Sequence, residues 1–250
     1  MALTDSLVAY YKLDESSGNA NDSVGGYTLT NNGTTGYESA KINNGANFAN
    51  TNTKYLRRTE ANVFGLTSNQ NTSISLWFKI VSEANQDGEI CYLFWKSATG
   101  SLIRIFYYYN GGTRQLGVGR LGAVNNFNFI TNNYGDNTWR HLVVTYDTSS
   151  LVVYINGVSA SSVAGNGTYN SSGASQSAGF GLGDLAFGVN GHNGFIDEVG
   201  IYGKVLSLNE IQSLYRAGQG NQFPFGSAFN NTLTPSVRAS SGVSVTERTM

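Results

Sequence analysis

The chain has little cysteine and little proline, and each shortage narrows the choice of fold and chemistry. Its one cysteine, Cys91, cannot form an internal disulfide, although such bridges are common in small secreted domains. Cys91 lies in the apolar run EICYLFWK, so we expect a buried thiol in a core strand rather than a catalytic nucleophile. The only prolines, Pro224 and Pro235, both lie near the C-terminus.

Charge and long apolar runs are also scarce. Charged residues make up 12% of the sequence, and 15 basic against 16 acidic side chains give a net charge of −1. No broad positive field is present to bind phosphates or anionic lipids, so we expect no nucleic-acid partner. No segment has the roughly 18 consecutive apolar residues that span a bilayer, so no membrane insertion is expected. The N-terminal MALTDSLVAYYKLDE has no secretory signal pattern, which predicts a chain made without a signal or trimmed of one.

What the sequence does contain is a series of short runs in which apolar and polar residues alternate between Gly- and Asn-rich turns. Such runs indicate half-buried antiparallel strands, and they cover residues 7–13, 72–81, 89–96, 101–109, 140–147, 151–157, 184–190 and 195–202. Their spacing predicts an all-β sandwich of two antiparallel sheets. One short C-terminal helix is predicted in SLNEIQSLYRAG, because Ser207 and Glu210 form a capping box and Gly218 follows as a stop.

Several motifs in this order resemble a known family. SISLWFK, TWRHLVVTYDTSSLVVYINGV and FIDEVGIYGKVLSLNEIQSLY, together with the opening LVAYYKLDESSGNANDSVGG and the later KINNGANFAN, are similar to the laminin-G-like, concanavalin A-like lectin/glucanase jelly roll. The resemblance covers about residues 5–216 and implies one jelly-roll domain over residues 1–217. It implies no single function, because glycan binders, adhesion modules, enzymes and passive shells share this fold.

Asp197 and Glu198 are two adjacent carboxylates inside an otherwise apolar strand. Alternation places Asp197 on the face of Phe195, Val199 and Ile201, where an ionised carboxylate needs a partner, and turns Glu198 the other way, to solvent or an ion pair. The resemblance implies a structural calcium ion between Asp197 and Asp22, which lies in the Gly-rich loop DESSGNANDSVGG. The alternative is an ion-free contact in which Asp197 accepts backbone N–H groups of that loop.

We expect no catalytic activity. Glycosidases need two carboxylates that face each other across a cleft, and the acidic strand pattern that enzymes of this fold carry is absent. No G-x-S-x-G elbow is present either. His141 lies within a strand, where it is expected to pack rather than act as a base.

Two kinds of binding role remain. As a glycan binder, the chain would use aromatic rings and polar groups at strand ends and loops, and the candidate residues are Tyr108, Asn110, Tyr134 and His192. The alternative for the tyrosine run is packing, because Tyr107 and Tyr109 share a face with Ile103 and Ile105. As a structural element, the chain would be a virion surface protein of a phage head or tail, or a coat module of a cell appendage. Its low-charge, Asn/Thr/Gly-rich composition favours the phage protein.

These readings combine in one prediction: a non-catalytic adhesion or decoration module on a virion surface or outside the cell, with weak glycan binding. A secreted or cell-surface carbohydrate-binding module is the alternative, and a glycoside hydrolase of the same fold is the third choice.

The C-terminal part, residues 218–250, falls outside the resemblance. It contains both prolines, which interrupt helices and central strands. It also contains Phe223, Phe225 and Phe229, which are too apolar for an idle linker and are expected to pack either back on the domain or into a neighbour. We expect residues 219–250 to form an extended arm that docks onto other virion or surface-assembly subunits. A disordered tail is the alternative.

Overall fold

In a computed structural model of the chain, the described residues form two antiparallel sheets packed face to face, with one short α-helix. The described residues are 2–48, 53–60, 63–67, 70–81, 88–95, 101–110, 113–121, 125–130, 132–164, 179–183 and 191–226. The predicted all-β jelly-roll sandwich with a single C-terminal helix is confirmed. Within those ranges no helix is long and apolar enough to cross a membrane.

One sheet has eight strands among the described residues. They are β1 Leu7–Tyr11, β3 Gly36–Ser39, β4 Asn44–Asn47, β6 Thr72–Ile80, β11 Arg140–Tyr146, β12 Ser150–Ile155, β13 Val158–Ala164 and β15 Gly194–Tyr202. Their order across the sheet is β13, β12, β11, β6, β15, β4, β3. The first half of β15 pairs with β4 and its second half pairs with β1.

The other sheet has seven strands in the described part of the chain. They are β2 Thr30–Asn32, β5 Tyr55–Thr59, β7 Gly88–Trp95, β8 Ser101–Asn110, β9 Thr113–Leu121, β10 Asn125–Ile130 and β14 Gly179–Leu182. Their order is β10, β9, β8, β7, β14, β5, β2. The strand predicted at residues 184–190 lies outside the described residues.

Strand β6 shows how alternation builds the core between the sheets. Every second residue from Ile74 onwards packs in the core between the sheets, namely Ile74, Leu76, Phe78 and Ile80. The positions between them face the outer side of the eight-stranded sheet, as successive side chains of a strand must, and Lys79 is the half-buried one among them. The thiol of Cys91 is fully buried in the same core, as its apolar flanks predict.

The helix α1, Leu208–Tyr215, covers part of the outer side of the eight-stranded sheet. The predicted capping box is present: the Ser207 side chain accepts from the Glu210 N–H, and the Glu210 carboxylate accepts from the Ser207 N–H. Ile211 and Leu214 are buried in a small apolar cluster that includes Val143 of β11. The helix therefore forms a second, smaller core on that side.

After the helix, the chain turns back onto the same outer side. In this return segment, residues 219–226, the rings of Phe223 and Phe225 lie 5.7 and 5.4 Å from the ring of Tyr10 on β1. Phe225 also packs on the cluster beneath the helix. Packing contacts with the sandwich therefore continue past residue 217, to residue 225, and the boundary at residue 217 stays a prediction. The rest of the predicted arm, residues 227–250, lies outside the described residues.

Candidate ligand-binding surface

Asp22 ties the loop after β1 to that strand through its carboxylate. Oδ1 accepts the N–H groups of Tyr10 and Val24 at 2.8 and 2.9 Å. Oδ2 accepts those of Gly25 and Tyr27 at 2.8 and 3.0 Å. A carboxylate has about four acceptor positions, so backbone donors fill those of Asp22. Asp22 therefore binds the backbone N–H groups of its own loop without an ion, a contact that the ion-free alternative assigned to Asp197.

Asp197 is fully buried on β15 and holds a different loop. Its Oδ2 accepts the N–H groups of Lys41 and Ile42, at 3.1 and 2.9 Å, in the turn between β3 and β4. Burial, and then the neighbouring Glu198 carboxyl, raise the pKa of Asp197 to about 9. Asp22 and Asp197 therefore draw their hydrogen bonds from separate loops and share no donor.

Glu198 does not face away from Asp197 as alternation predicts. Ile196 and Val199 both lie in the core, and the register of β15 with β6 slips between Asp197 and Gly200. Glu198 has a φ of 51°, so a bulge at this position turns both carboxyls to the outer side of the sheet. The expectation of a solvent-facing or ion-paired Glu198 is wrong.

Glu198 is only 4% exposed and is held by neutral groups. The Tyr10 hydroxyl donates to its Oε2, and Gln222 of the return segment donates from Nε2 to its Oε1 at 2.5 Å. The same Nε2 donates to Asp14 Oδ2 at 2.9 Å, so one amide bridges two carboxyls. Burial raises the pKa of Glu198 to about 7.

The predicted calcium site was tested against these contacts. Among the described residues, no group of three or more His, Cys, Asp or Glu side chains is placed to hold a metal ion. Asp197 Oδ1 is buried and accepts no hydrogen bond, so it is the carboxyl oxygen of the predicted pair that is still open to a cation, whereas Asp22 has no acceptor position left. Calcium stays a prediction that concerns the Asp197 side alone.

The two histidines are buried and are held as neutral rings. His141 packs against both Trp77 and Tyr215, whose rings also stack on each other, and its Nε2 lies 3.0 Å from Ser75 Oγ. Burial lowers its pKa to about 3. His192 lies between the rings of Phe48 and Tyr107, and burial lowers its pKa to about 4. His141 is thus a packing residue, as predicted.

Two of the four predicted ligand residues are inaccessible. His192 is fully buried, and Tyr134 is 3% exposed, packed on Phe78 with Arg140 over its ring. A sugar ring needs an open aromatic face to stack on, so these two predictions are corrected: both residues help to close the sandwich. Their loop positions in the sequence carried no sign of this burial.

The other two predicted ligand residues lie on β8. Tyr108 is 40% exposed on the outer side of the seven-stranded sheet, and Tyr107 faces the core with Ile103 and Ile105, which confirms the packing alternative for Tyr107. Asn110 is the last residue of the strand, and its side chain is not among the described parts of the structure. Tyr108 is the predicted ligand residue whose ring stays accessible.

A second accessible group of aromatic residues, which the sequence reading missed, crosses the outer side of the eight-stranded sheet. We call Trp139, Lys79 and Phe195 the aromatic row. Phe195 pairs with Lys79 across β15 and β6, and Trp139 comes directly before Arg140, which pairs with Phe78. Phe195 and Lys79 therefore lie side by side on neighbouring strands, which are about 4.8 Å apart, and Trp139 lies next to Lys79 at the residue just before β11.

All three side chains of the aromatic row are half-buried. The ring centroids of Trp139 and Phe195 are 6.1 Å apart with their planes tilted by 59°. The Lys79 ammonium lies 4.3 Å from the Phe195 centroid and 5.4 Å from that of Trp139. Two partly open rings and a cation thus share one patch on a rigid sheet.

The sequence did contain a signal for the aromatic row. In β6, Lys79 lies between the core positions Phe78 and Ile80, so alternation points it outward. In β15, Phe195 precedes the core residue Ile196 in the same way. Simple alternation groups Phe195 with Val199 and Ile201, because the bulge at Glu198 leaves no trace in the sequence pattern.

Comparison with known proteins identifies the family. A sequence model of the concanavalin A-like lectin/glucanases superfamily matches residues 50–212. None of the curated proteins matches the chain by sequence.

Solved structures share the fold. Domain 4 of AbnA, an extracellular GH43 arabinanase from Geobacillus stearothermophilus solved with arabinotriose, superposes with a TM-score of 0.58 at 24% identity, over 82% of this chain and 96% of that one. The binding domain of Paraclostridial Mosquitocidal Protein 1 gives 0.64 at 14% identity, over 86% and 52%. Trypanosoma rangeli sialidase, bound to a difluoro-KDN ligand, gives 0.61 at 17% identity, over 86% and 33%. The chain thus spans about half of the toxin domain and a third of the sialidase.

Proposed function

Because this chain belongs to the concanavalin A-like lectin/glucanases superfamily, we propose that it is a non-catalytic surface module that binds glycans through the aromatic row. The single observation that carries this function is the pair of half-buried rings, Trp139 and Phe195, fixed 6.1 Å apart on one face of a sheet. The structural neighbours include a domain solved with an arabinose trisaccharide.

The chemistry of the aromatic row suits a sugar. Aromatic rings stack on the apolar C–H faces of sugars, and flanking polar groups bind the hydroxyls. Asn47 pairs with Phe195 across β4 and β15 and is half-buried, so it places a polar side chain at the end of the row. A site built on strands holds its groups more rigidly than a site on loops.

In this proposal the module works outside the cell or on a particle surface, as an adhesion or decoration element. The finer form is a virion surface protein of a phage head or tail, which the low charge and the Asn/Thr/Gly-rich composition support. Its partners would then be other assembly subunits, bound through the part of the arm beyond residue 226. A secreted carbohydrate-binding module is the alternative setting for the same surface.

The lack of catalysis is part of the proposal. Glu198 and Asp14 are bridged by the amide of Gln222, and Glu198 is buried. Two carboxyls held in this way have no cleft between them for a glycosidic bond.

A glycan array probed with the purified chain tests the function. We expect binding to one or more saccharides, and no release of reducing sugar from the bound ones after prolonged incubation. An array without binding to any saccharide contradicts the glycan-binding function, and sugar release contradicts the non-catalytic part.

A further inference from the structure

We propose that the aromatic row selects acidic saccharides, in which the ring of a carboxylated sugar packs on Trp139 and its carboxylate pairs with the Lys79 ammonium. This inference rests on the proposed glycan-binding function and specifies its ligand class. It assigns a separate role to each member of the row.

Lys79 is the cation of the row, and its charge is not balanced by the described part of the protein. Its ammonium makes no ion pair and donates no hydrogen bond within the described residues, where its contacts are the two rings. An ammonium over aromatic faces keeps its three N–H donors for other acceptors. An anionic ligand would supply the negative charge and the hydrogen-bond acceptors for the Lys79 ammonium.

Two described carboxyls close to the row along the chain are already engaged. Asp136 accepts two hydrogen bonds from the Arg140 guanidinium, at 2.7 and 2.6 Å. Asp197, two residues after Phe195, is fully buried and accepts the N–H groups of the turn between β3 and β4. Neither carboxyl neutralises Lys79, so the ammonium remains the electrostatic feature of this patch.

The distances from the Lys79 ammonium to the two ring centroids indicate a different role for each ring. At 4.3 Å from its centroid, the Lys79 ammonium covers the face of Phe195, so Phe195 acts as a positioning residue that fixes the cation. At 5.4 Å the ammonium is farther from the centroid of Trp139, whose larger ring leaves area for a sugar. A carboxylated sugar on Trp139 would then bring its charge towards Lys79.

The expected selectivity is modest because the site lies at the surface. An exposed ion pair changes affinity by at most roughly fivefold and is screened by salt. We therefore expect an acidic saccharide to bind about fivefold more tightly than its neutral counterpart at low ionic strength. Most of that advantage should disappear at about 1 M salt, where the Debye length falls to roughly 3 Å.

Isothermal titration with matched probes tests the inference. The probes are tri-galacturonate and its methyl ester, and sialyllactose and lactose, so that uronate and sialate sources are compared separately. The protein variants are Lys79→Met, Lys79→Arg and Lys54→Met, the last a half-buried lysine before β5 on the other sheet as a matched control. Melting curves verify that each variant folds.

The inference predicts that at least one acidic probe binds more tightly than its neutral partner. Lys79→Met should remove the difference, whereas Lys79→Arg and Lys54→Met should keep it. Equal binding of acidic and neutral probes, or a preference that survives Lys79→Met, overturns the inference and leaves the glycan-binding function intact. If no saccharide binds on the array or here, the function itself fails. Lysine-dependent capture of phosphatidylserine vesicles without saccharide binding would assign the row to a membrane surface instead.

Discussion

Asp197 and Glu198 are adjacent in the sequence and lie on the same side of β15, because Glu198 has a φ of 51° at a bulge in the strand. Each carboxyl then holds a different part of the chain: Asp197 binds the turn between β3 and β4, and Glu198 binds the return segment through Gln222. The two residues connect the sheet to both segments that cover its outer side.

The return segment gives the first prediction. Truncation after Gly218 removes the contacts of Phe223 and Phe225 with Tyr10 and the hydrogen bonds of Gln222. Burial of two partly exposed aromatic rings accounts for about 2–4 kcal/mol of unfolding free energy. Chemical denaturation should show a loss of that size.

Truncation after Gly226 is the matched control, since it keeps the return segment and removes the rest of the arm. It should unfold at the same denaturant concentration as the full chain and lose assembly with its partner subunits. Equal stability of the two truncated proteins would show that the return segment adds nothing to the fold. Normal assembly without residues 227–250 would contradict the docking role of the arm.

The amide bridge gives the second prediction. Gln222→Glu places a third carboxyl beside Asp14 and Glu198, and like charges at a buried site are unfavourable. We expect a loss of about 1–3 kcal/mol at pH 7, which should shrink at pH 4 as the carboxyls take up protons. Gln219→Glu, at an exposed position of the same segment, should cost little. A Gln222→Glu penalty independent of pH would argue against the bridge.

The predicted calcium ion gives the third prediction. Calcium should raise the melting midpoint of the native chain and leave that of Asp197→Asn unchanged, because the cation would bind Asp197 Oδ1. Asp22→Asn should cost about 2–4 kcal/mol with or without a chelator, since it weakens four backbone hydrogen bonds. If neither calcium nor a chelator changes the melting midpoint of the native chain, the predicted calcium ion is not bound.

The buried histidines give the fourth prediction, which concerns the pH dependence of stability. Their folded pKa values, about 3 for His141 and about 4 for His192, lie below the value near 6.5 of an unfolded chain. The unfolded state therefore binds more protons in that window, and this contribution to stability, complete above pH 6.5, is lost as the pH falls. Each histidine contributes a slope of up to about 1.4 kcal/mol per pH unit.

The raised pKa values of Asp197 and Glu198 act in the opposite direction, because there the folded state holds the extra protons. The histidine effect is therefore best measured as the stability difference between the native chain and His141→Phe across pH 4–7. That difference should favour the variant increasingly as the pH falls. A difference that does not change with pH would mean that His141 is not held neutral.

The sequence was sufficient for the fold class, for seven of the fifteen described strands and for the helix, because alternation and capping are local properties. Strand β6 and the capping box of Ser207 and Glu210 lie where their patterns predict. It was insufficient for the bulge at Glu198. One extra residue in a strand reverses the face to which every later side chain points, and only the pairing with β6 reveals that extra residue.

The site was harder to predict than the fold for the same reason. Tyr134 and His192 are next to Gly and Asn in the sequence, like exposed loop residues, yet tertiary packing buries both. Trp139 and Phe195 look like core residues until the register of β6, β11 and β15 places them on the outer side. The return segment is held by contacts between residues about 210 positions apart, such as Gln222 with Asp14, which no local pattern contains.

The most direct test of the central claim compares ring removal at the two accessible aromatic sites. A saccharide identified on the array is titrated against the native chain, Trp139→Ala and Tyr108→Ala, with melting curves to confirm folding. Loss of a stacking ring costs roughly 1–2 kcal/mol, so Trp139→Ala should weaken binding about tenfold or more, while Tyr108→Ala should bind as the native chain does. Native affinity in Trp139→Ala, with loss in Tyr108→Ala, would place the glycan on the seven-stranded sheet and contradict the aromatic row as the binding site.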